Sequence, residues 1–354
     1  MNDELEPTIE EQRHPRRRYT LVGHEEAERQ LLSAYRSEKM HHGWILGGPH
    51  GIGKATLAYR FARFVLRYPD PSAIPNSVEN LFVDEDDLIS RRVAAEAHAD
   101  LLTISPAWDP RTKKFKREIG AAEARKASSF FSRTAGEGGW RVCIVDPASA
   151  MNSTAANALL KTLEEPPARV LFLLVSDFPG KLMATIRSRC VQLDLHPLTS
   201  DDVVSVVNAV PIEGERPLED DIQGAISWAE GSPGRAIEMF ELGLQETLLA
   251  FGELTAQLPV LNRTKLHHFV DTLAARGAEE KYALFNGIFL DWLASRAHHC
   301  ALAGETALAQ NLAQAHGEIS HSINLANALN LDKRQVLLQT FYRIEQAWGE
   351  SAAA

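Results

Sequence analysis

A glycine-rich segment constrains the fold of this chain more than any other feature. GPHGIGK (48–54) lies between a short apolar run, Trp44–Leu46, and a helical pattern from Lys54 to Leu66. This is the setting of a phosphate-binding loop: glycines let backbone N–H groups curl around an anion, and the helix N-terminus adds partial positive charge. The residues of this predicted loop are Gly48, Gly51, Gly53 and Lys54.

Further apolar runs alternate with helical patterns up to about Leu198. The predicted strands are WIL (44–46), LLTI (101–104), VCIVD (142–146), VLFLLVS (170–176) and VQLDL (191–195). Continuously apolar strands separated by helices are typical of a parallel sheet covered by helices on both faces. After Leu198 only helical patterns remain. The sequence therefore predicts an α/β P-loop domain followed by all-α regions.

The predicted loop lacks part of a magnesium site. The residue after the P-loop lysine is normally Ser or Thr, whose hydroxyl binds Mg²⁺, but here it is Ala55. Thr56 comes one residue later, which turns its hydroxyl about 100° away around the helix. Asp146 ends an apolar strand, where the acidic partner of the metal is expected; a strand-end turn residue is the alternative interpretation.

The charge balance limits what the chain can bind by itself. The net charge is −10, whereas a protein that grips duplex DNA alone is expected to carry a basic surface. The most basic segment, RTKKFKRE (111–118), is predicted to be a loop or hairpin tip. Its cations (Lys113, Lys114, Lys116 and Arg117) could contact backbone phosphates in a complex or form a solvated loop.

The three cysteines, Cys143, Cys190 and Cys300, are scattered and form no CxxC pair. We therefore expect no disulfide framework and no zinc or other metal site. The N-terminal segment has no apolar stretch of a signal peptide, and no run of about 18 apolar residues occurs. These patterns predict a cytoplasmic protein without a membrane partner.

Five segments together resemble the AAA+ subunits of bacterial clamp loaders, over about residues 19 to 240. The segments are VGHEEAERQLLSAYRSEKMHHGWILGGPHGIGKATLAYRFARFVL (22–66), HADLLTI (98–104), NSTAANALLKTLEEPP (152–167), KLMATIRSRC (181–190) and GSPGRAIEM (231–239). Beyond residue 240 only the helical pattern of apolar residues agrees with the collar domain of that family. The resemblance implies an AAA+ α/β P-loop domain, a small helical lid and an all-α collar.

The predicted domain organisation follows from the pattern of strands and helices together with this resemblance. We expect a disordered tail at 1–18, the AAA+ P-loop domain at 19–197, the lid at 198–243 and the collar, or oligomerisation domain, at 244–350. The four-cysteine zinc module of many clamp-loader subunits is absent or replaced, since residues 67–97 contain no cysteine.

Departures from the family pattern favour its non-hydrolysing members, the delta-prime type. Hydrolysing subunits carry a carboxylate after the strand-end Asp and a lid arginine, but this chain has Pro147 and Gly234 at those positions. Together with Ala55, these residues imply no independent ATPase and weak or absent ATP or ADP binding at a degenerate loop. An active, tau/gamma-like ATPase motor subunit is the alternative.

Arg189 lies in a Ser-Arg-Cys motif, and the resemblance implies that it is an arginine finger. Such an arginine reaches the ATP of a neighbouring subunit, and its planar charged fork suits phosphate oxygens. An arginine in a surface salt bridge is the alternative. The implied partners are the tau/gamma and delta subunits, with the sliding clamp and primed DNA contacted indirectly. The nucleotidyltransferase activity of such a DNA polymerase III holoenzyme belongs to the complex.

Overall fold

The computed structural model describes residues 8–37, 39–132, 135–136, 139–212 and 219–352. The chain forms two compact units. The first comprises Met1–Pro211 and Gly231–Gly234, and the second comprises Ile212–Glu230 and Arg235–Ala354. The lid and collar boundaries expected from the sequence stay predictions.

A parallel five-stranded sheet forms the centre of the first unit. Its strands are β1 Gly43–Gly47, β2 Leu101–Ile104, β5 Arg141–Val145, β6 Val170–Ser176 and β7 Val191–Asp194, and a separate antiparallel hairpin is made by β3 Trp108–Asp109 and β4 Lys114–Phe115. The order in the large sheet is β2-β5-β6-β1-β7, and every pairing in it is parallel. The predicted parallel sheet and the predicted hairpin tip are confirmed.

Helices cover both faces of this sheet. The helices that begin in the first unit are α1 Ile9–Arg13, α2 Glu25–Arg36, α3 Lys54–Arg67, α4 Leu88–Ala94, α5 Ala121–Phe131, α6 Ser153–Glu164, α7 Ala184–Arg187, α8 Ser200–Ala209 and α10 Pro233–Glu241. Side chains alternate across each strand, so Leu46 packs with α2 and α3 while Ile45 packs with α5 and α6. The α/β fold class predicted from the sequence is therefore confirmed.

The segment before the first strand is not a free tail. Residues 1–7 lie outside the described part of the chain, but Arg63 of α3, 1% exposed, donates to the carbonyl oxygens of Arg16 and Arg18. Its guanidinium also lies 4.6 Å from the centre of the Tyr19 ring. Burial lowers the pKa of Arg63 to about 10, so it stays charged at neutral pH and needs these partners. In the structure Arg63 thus holds residues 16–18 against α3, within the segment for which the sequence predicts a disordered tail.

The stretch between α3 and β2 contributes to the core. Leu81 is fully buried, and Ile74, Val83, Ile89 and Val93 pack in the same apolar cluster as α3. In the described ranges, no group of three or more His, Cys, Asp or Glu side chains is arranged to hold a metal ion. Apolar packing thus stabilises this stretch.

The second unit is helical. Its helices are α9 Glu219–Ala229, the remainder of α10, α11 Gln245–Thr255, α12 Arg263–Ala274, α13 Glu279–Leu302, α14 Thr306–Leu329 and α15 Lys333–Ala352. Phe251 is fully buried at its centre. Six rings surround it at centroid distances of 5.2–6.3 Å: Trp228, Phe269, Phe285, Phe289, Trp292 and Phe341. None of the helices described in either unit has the length and apolar character needed to cross a membrane.

Candidate functional site

The glycine-rich loop joins β1 to α3 with the backbone geometry that the sequence predicts. Gly48, Gly51 and Gly53 have φ angles of +133°, +75° and +106°, which side chains with a Cβ rarely adopt. No side chain caps the N-terminus of α3, where Lys54 is the first residue. The first-turn N–H groups therefore remain available to an anion.

An internal carboxylate pairs with the loop lysine. The Lys54 side chain is 3% exposed, and its Nζ lies 2.7 Å from Oδ1 of Asp177, the residue directly after β6. Lys54 Nζ also donates to the carbonyl oxygen of Pro49. His50 Nδ1 lies 3.2 Å from the second oxygen of the same carboxylate. The positive charge that would meet a phosphate is thus neutralised within the chain.

The two acidic residues of the site have opposite pKa shifts. Burial works against ionisation of Asp177, but the hydrogen bonds from His50 and Lys54 and the charge of Lys54 outweigh it and lower the pKa of Asp177 to about 2. Burial, followed by the charge of Asp177, raises the pKa of Asp146 to about 6, although Lys54 and His50 oppose the shift. Asp177 therefore stays ionised down to a lower pH than Asp146 does.

Sheet topology brings these groups together. β5, β6 and β1 are neighbours, so Asp146, Asp177 and the glycine-rich loop meet at their carboxyl ends. The residues do not fit a magnesium-nucleotide complex: Ala55 offers no hydroxyl, Pro147 offers no carboxylate, and Lys54 is already paired. The site retains the backbone of a phosphate loop without the side chains of a metal site.

The start of α10 packs directly on the loop. The N–H of Gly234 donates to the carbonyl oxygen of Gly51 at 2.9 Å, and Ser232 Oγ donates to that of His50 at 2.7 Å. A Cβ at position 234 would lie 2.7 Å from Gly51 Cα, too close for ordinary contact. Glycine at this position permits the close approach of the two segments.

Arg189 lies apart from the loop, between α7 and β7. Its guanidinium Nη2 is 2.8 Å from Glu164 Oε1, and its Nη1 donates to the Thr185 carbonyl oxygen at 2.9 Å and to Ser188 Oγ at 3.2 Å. The side chains of Arg189 and Glu164 are 35% and 48% exposed. In the isolated chain Arg189 thus forms a surface ion pair, and no contact joins it to Lys54 or Asp146 among the described residues.

Sequence reasoning missed three participants of the loop site: Asp177, His50 and Ser232. Asp177 had a detectable signal, since it is an acidic residue immediately after an apolar strand, as is Asp146. His50 occupies a variable position inside the loop, and Ser232 is far away in sequence. Their contacts depend on which strands are neighbours, a feature that periodicity does not specify.

We expect Asp146→Asn to stabilise the protein above pH 6. Because folding raises this pKa from 3.8 to about 6, the ionised side chain destabilises the fold at neutral pH, and stability rises as pH falls from about 6 towards 4. Asparagine resembles the protonated acid, so the gain at pH 7.5 should be about 1–2 kcal/mol, reduced from the full linkage value by partial solvent exposure. Urea unfolding between pH 4 and 8 measures it.

The matched control is Asp86→Asn, which changes an 84% exposed side chain. It should leave the pH profile of unfolding unaltered. Equal stability of wild type and Asp146→Asn across the pH range would contradict the assigned pKa shift.

The fold and the glycine-rich loop define a P-loop α/β protein. The family model described as DNA polymerase III, delta subunit, matches residues 23–199, which is half of the 354-residue chain. The chain belongs to this family. The family membership predicted from the sequence is therefore confirmed.

Several curated relatives are named DNA polymerase III subunit delta'. The protein from Pseudomonas aeruginosa is 33% identical over 206 residues, covering 58% of this chain and 57% of the relative. The protein from Escherichia coli is 30% identical over 212 residues, covering 60% and 58%. The match thus spans less than two thirds of each relative.

More distant similarities extend to related subunits. DNA polymerase III subunit tau of Bacillus subtilis is 29% identical over 199 residues, covering 55% of this chain and 32% of the relative. A crystal structure of a DNA polymerase III gamma subunit-related protein from Thermotoga maritima aligns with a TM-score of 0.41 and 17% identity, over 90% of this chain and 99% of that one.

Proposed function

We propose that this chain is a non-hydrolysing AAA+ subunit of the DNA polymerase III clamp loader. In this role it supplies Arg189 to the ATP site of a neighbouring subunit and helps load the sliding clamp onto primed DNA during replication. Its partners would be the tau/gamma and delta subunits, with clamp and DNA contacted mainly through the complex. Membership of the delta subunit family supports this assignment.

The observation that carries the non-hydrolysing role is the Lys54–Asp177 pair. A lysine in this position serves hydrolysis only if its charge is free for phosphate oxygens. Here an ionised carboxylate lies 2.7 Å from it and a backbone carbonyl accepts a second hydrogen bond. A nucleotide would have to displace Asp177, and it would find no hydroxyl at residue 55 to bind magnesium.

The surroundings of Arg189 are compatible with a role in trans. An ion pair as exposed as Arg189–Glu164 is worth at most about 1 kcal/mol, so a phosphate group on a partner could replace Glu164 at small cost. The Thr185 carbonyl oxygen and the Ser188 hydroxyl both accept hydrogen bonds from the guanidinium. The arginine is thus partly ordered before it meets a partner, which reduces the entropy lost on binding.

The isolated chain should neither hydrolyse ATP nor bind Mg-ATP with micromolar affinity. Phosphate or sulfate alone should bind weakly at the loop, because the N–H groups of α3 remain available. Asp177→Asn removes the competing charge and should raise sulfate affinity about tenfold, the worth of one charge-assisted hydrogen bond. Titration calorimetry with Mg-ATP and with sulfate measures both effects.

Asp194→Asn is the matched control, since Asp194 ends β7 at the same sheet edge and contacts Gln192 rather than Lys54. It should leave sulfate affinity unchanged. Micromolar, magnesium-dependent ATP binding or turnover by the purified chain would instead support the alternative, an active tau/gamma-like motor subunit. Failure to co-purify with the organism's tau/gamma and delta subunits would refute the clamp-loader assignment as a whole.

A further inference from the structure

A short hairpin projects a pair of aromatic rings into solvent. β3 and β4 place Trp108 directly opposite Phe115, and their rings meet edge to face at 5.1 Å. Trp108 is 52% exposed and Phe115 is 63% exposed. The hairpin is a separate two-stranded sheet, and neither ring belongs to the two described apolar clusters that pack on the faces of the large sheet. Packing within the fold therefore does not account for these aromatic residues.

The end of the turn, the second strand and the two residues after it are strongly basic. Lys113, Lys114, Lys116 and Arg117 are all exposed. In the described part of the chain, no ion pair neutralises these four side chains, whereas Arg111 lies 3.9 Å from Asp109 of the same hairpin. A local cluster of positive charge thus adjoins the ring pair in a protein whose net charge is −10.

The backbone holds the rings and the cations close together. Lys116 N–H donates to the Ala107 carbonyl oxygen at 2.9 Å, so backbone hydrogen bonding between the two strands continues beyond Trp108 and Phe115. The Arg111 N–H donates to Asp109 Oδ1 at 2.9 Å and fixes the start of the turn. The hairpin therefore presents aromatic faces and ammonium groups within a few residues of each other.

We propose that this hairpin, residues 107–117, binds single-stranded nucleic acid. Unpaired bases would stack on Trp108 and Phe115, and the four cations would contact the phosphates on either side. Proteins that bind single strands without sequence preference combine these two elements. An acidic peptide could satisfy the cations but offers no planar group for the rings, and in a duplex the base faces are already stacked. The inference does not depend on the loop site or on Arg189.

Binding can be measured on the full chain with a fluorescein-labelled oligothymidylate by anisotropy at low salt. Four phosphate contacts predict that log K falls with log salt with a slope of about −2.8. Replacing the four cations by alanine should abolish most of that slope and weaken binding at least about tenfold. Trp108→Ala should weaken it about 5- to 100-fold, whereas Trp108→Phe should retain most of the affinity.

A control variant that loses the same charge elsewhere distinguishes binding at the hairpin from an effect of the protein's overall charge. It replaces four exposed cations elsewhere by alanine: Arg29, Arg91, Lys265 and Arg334. This variant should bind much more tightly than the hairpin variant. Equal loss in the two quadruple variants would overturn the proposal, as would full affinity in Trp108→Ala.

Competition identifies the class of ligand. Unlabelled oligothymidylate should displace the probe at lower concentration than duplex DNA or polyglutamate of equal charge. Displacement by polyglutamate at the same concentration would refute the nucleic-acid assignment in favour of an acidic protein partner. Because the hairpin lies outside the core clusters, unchanged circular dichroism should verify that each variant is folded.

Discussion

A complex assembled with Arg189→Ala should load sliding clamps far more slowly than wild type. An arginine supplied in trans stabilises the charge that develops on the transferring phosphoryl group, and such residues contribute about 10³–10⁵ in rate at the site they serve. The variant should fold and assemble normally, because it loses only an exposed ion pair with Glu164 and two surface hydrogen bonds, to Thr185 and Ser188. Clamp loading and total ATPase of the reconstituted complex are the two measurements.

The pattern of the two activities distinguishes a finger from a surface salt bridge. Since Arg189 would serve one of several ATP sites, total ATPase should fall only in part while clamp loading falls sharply. Arg189→Lys should restore little, because an ammonium group cannot reproduce the planar fork. Arg187→Ala, two residues earlier and exposed, is the matched control and should behave as wild type. Wild-type loading by Arg189→Ala would eliminate the finger assignment.

Phe251→Ala should destabilise the second unit by about 3–5 kcal/mol, the usual cost of deleting a buried aromatic side chain. Six rings contact this side chain, so the cavity cannot close without moving several helices. Trp228 and Trp292 lie 5.3 and 5.2 Å from it, and their fluorescence during urea unfolding reports this region.

Leu249→Ala is the control on the same helix, since Leu249 is 68% exposed. It should change the unfolding free energy by less than about 0.5 kcal/mol. A Phe251→Ala variant as stable as wild type would show that the ring cluster is dispensable for the second unit.

The sheet and the loop were predictable from the sequence because their signals are local. Runs such as VLFLLVS are apolar at every position, as strands buried on both faces must be, and the observed β6 has the bounds predicted for it. The glycines at 48, 51 and 53 have the positive φ angles for which glycine is needed. Helix ends can differ from the prediction, as at α3, which ends at Arg67 rather than Leu66.

Features that depend on distant contacts were not predictable. Nothing in the polar composition of residues 8–18 reveals that the buried guanidinium of Arg63 would bond their carbonyl groups. The Lys54–Asp177 pair likewise requires that β1 and β6 be neighbours. Truncation at the predicted boundary between lid and collar would remove α11 and α13, against which α9 packs in the second unit.

The contact between Gly234 and Gly51 limits which side chains position 234 can hold. An arginine there would be crowded, because its Cβ would lie 2.7 Å from Gly51 Cα and 2.9 Å from Gly51 O. The helix would first have to withdraw and release the Ser232–His50 bond. A side chain at this position would therefore cost stability before it could serve any purpose at the loop, so position 234 has little freedom to vary independently of the loop.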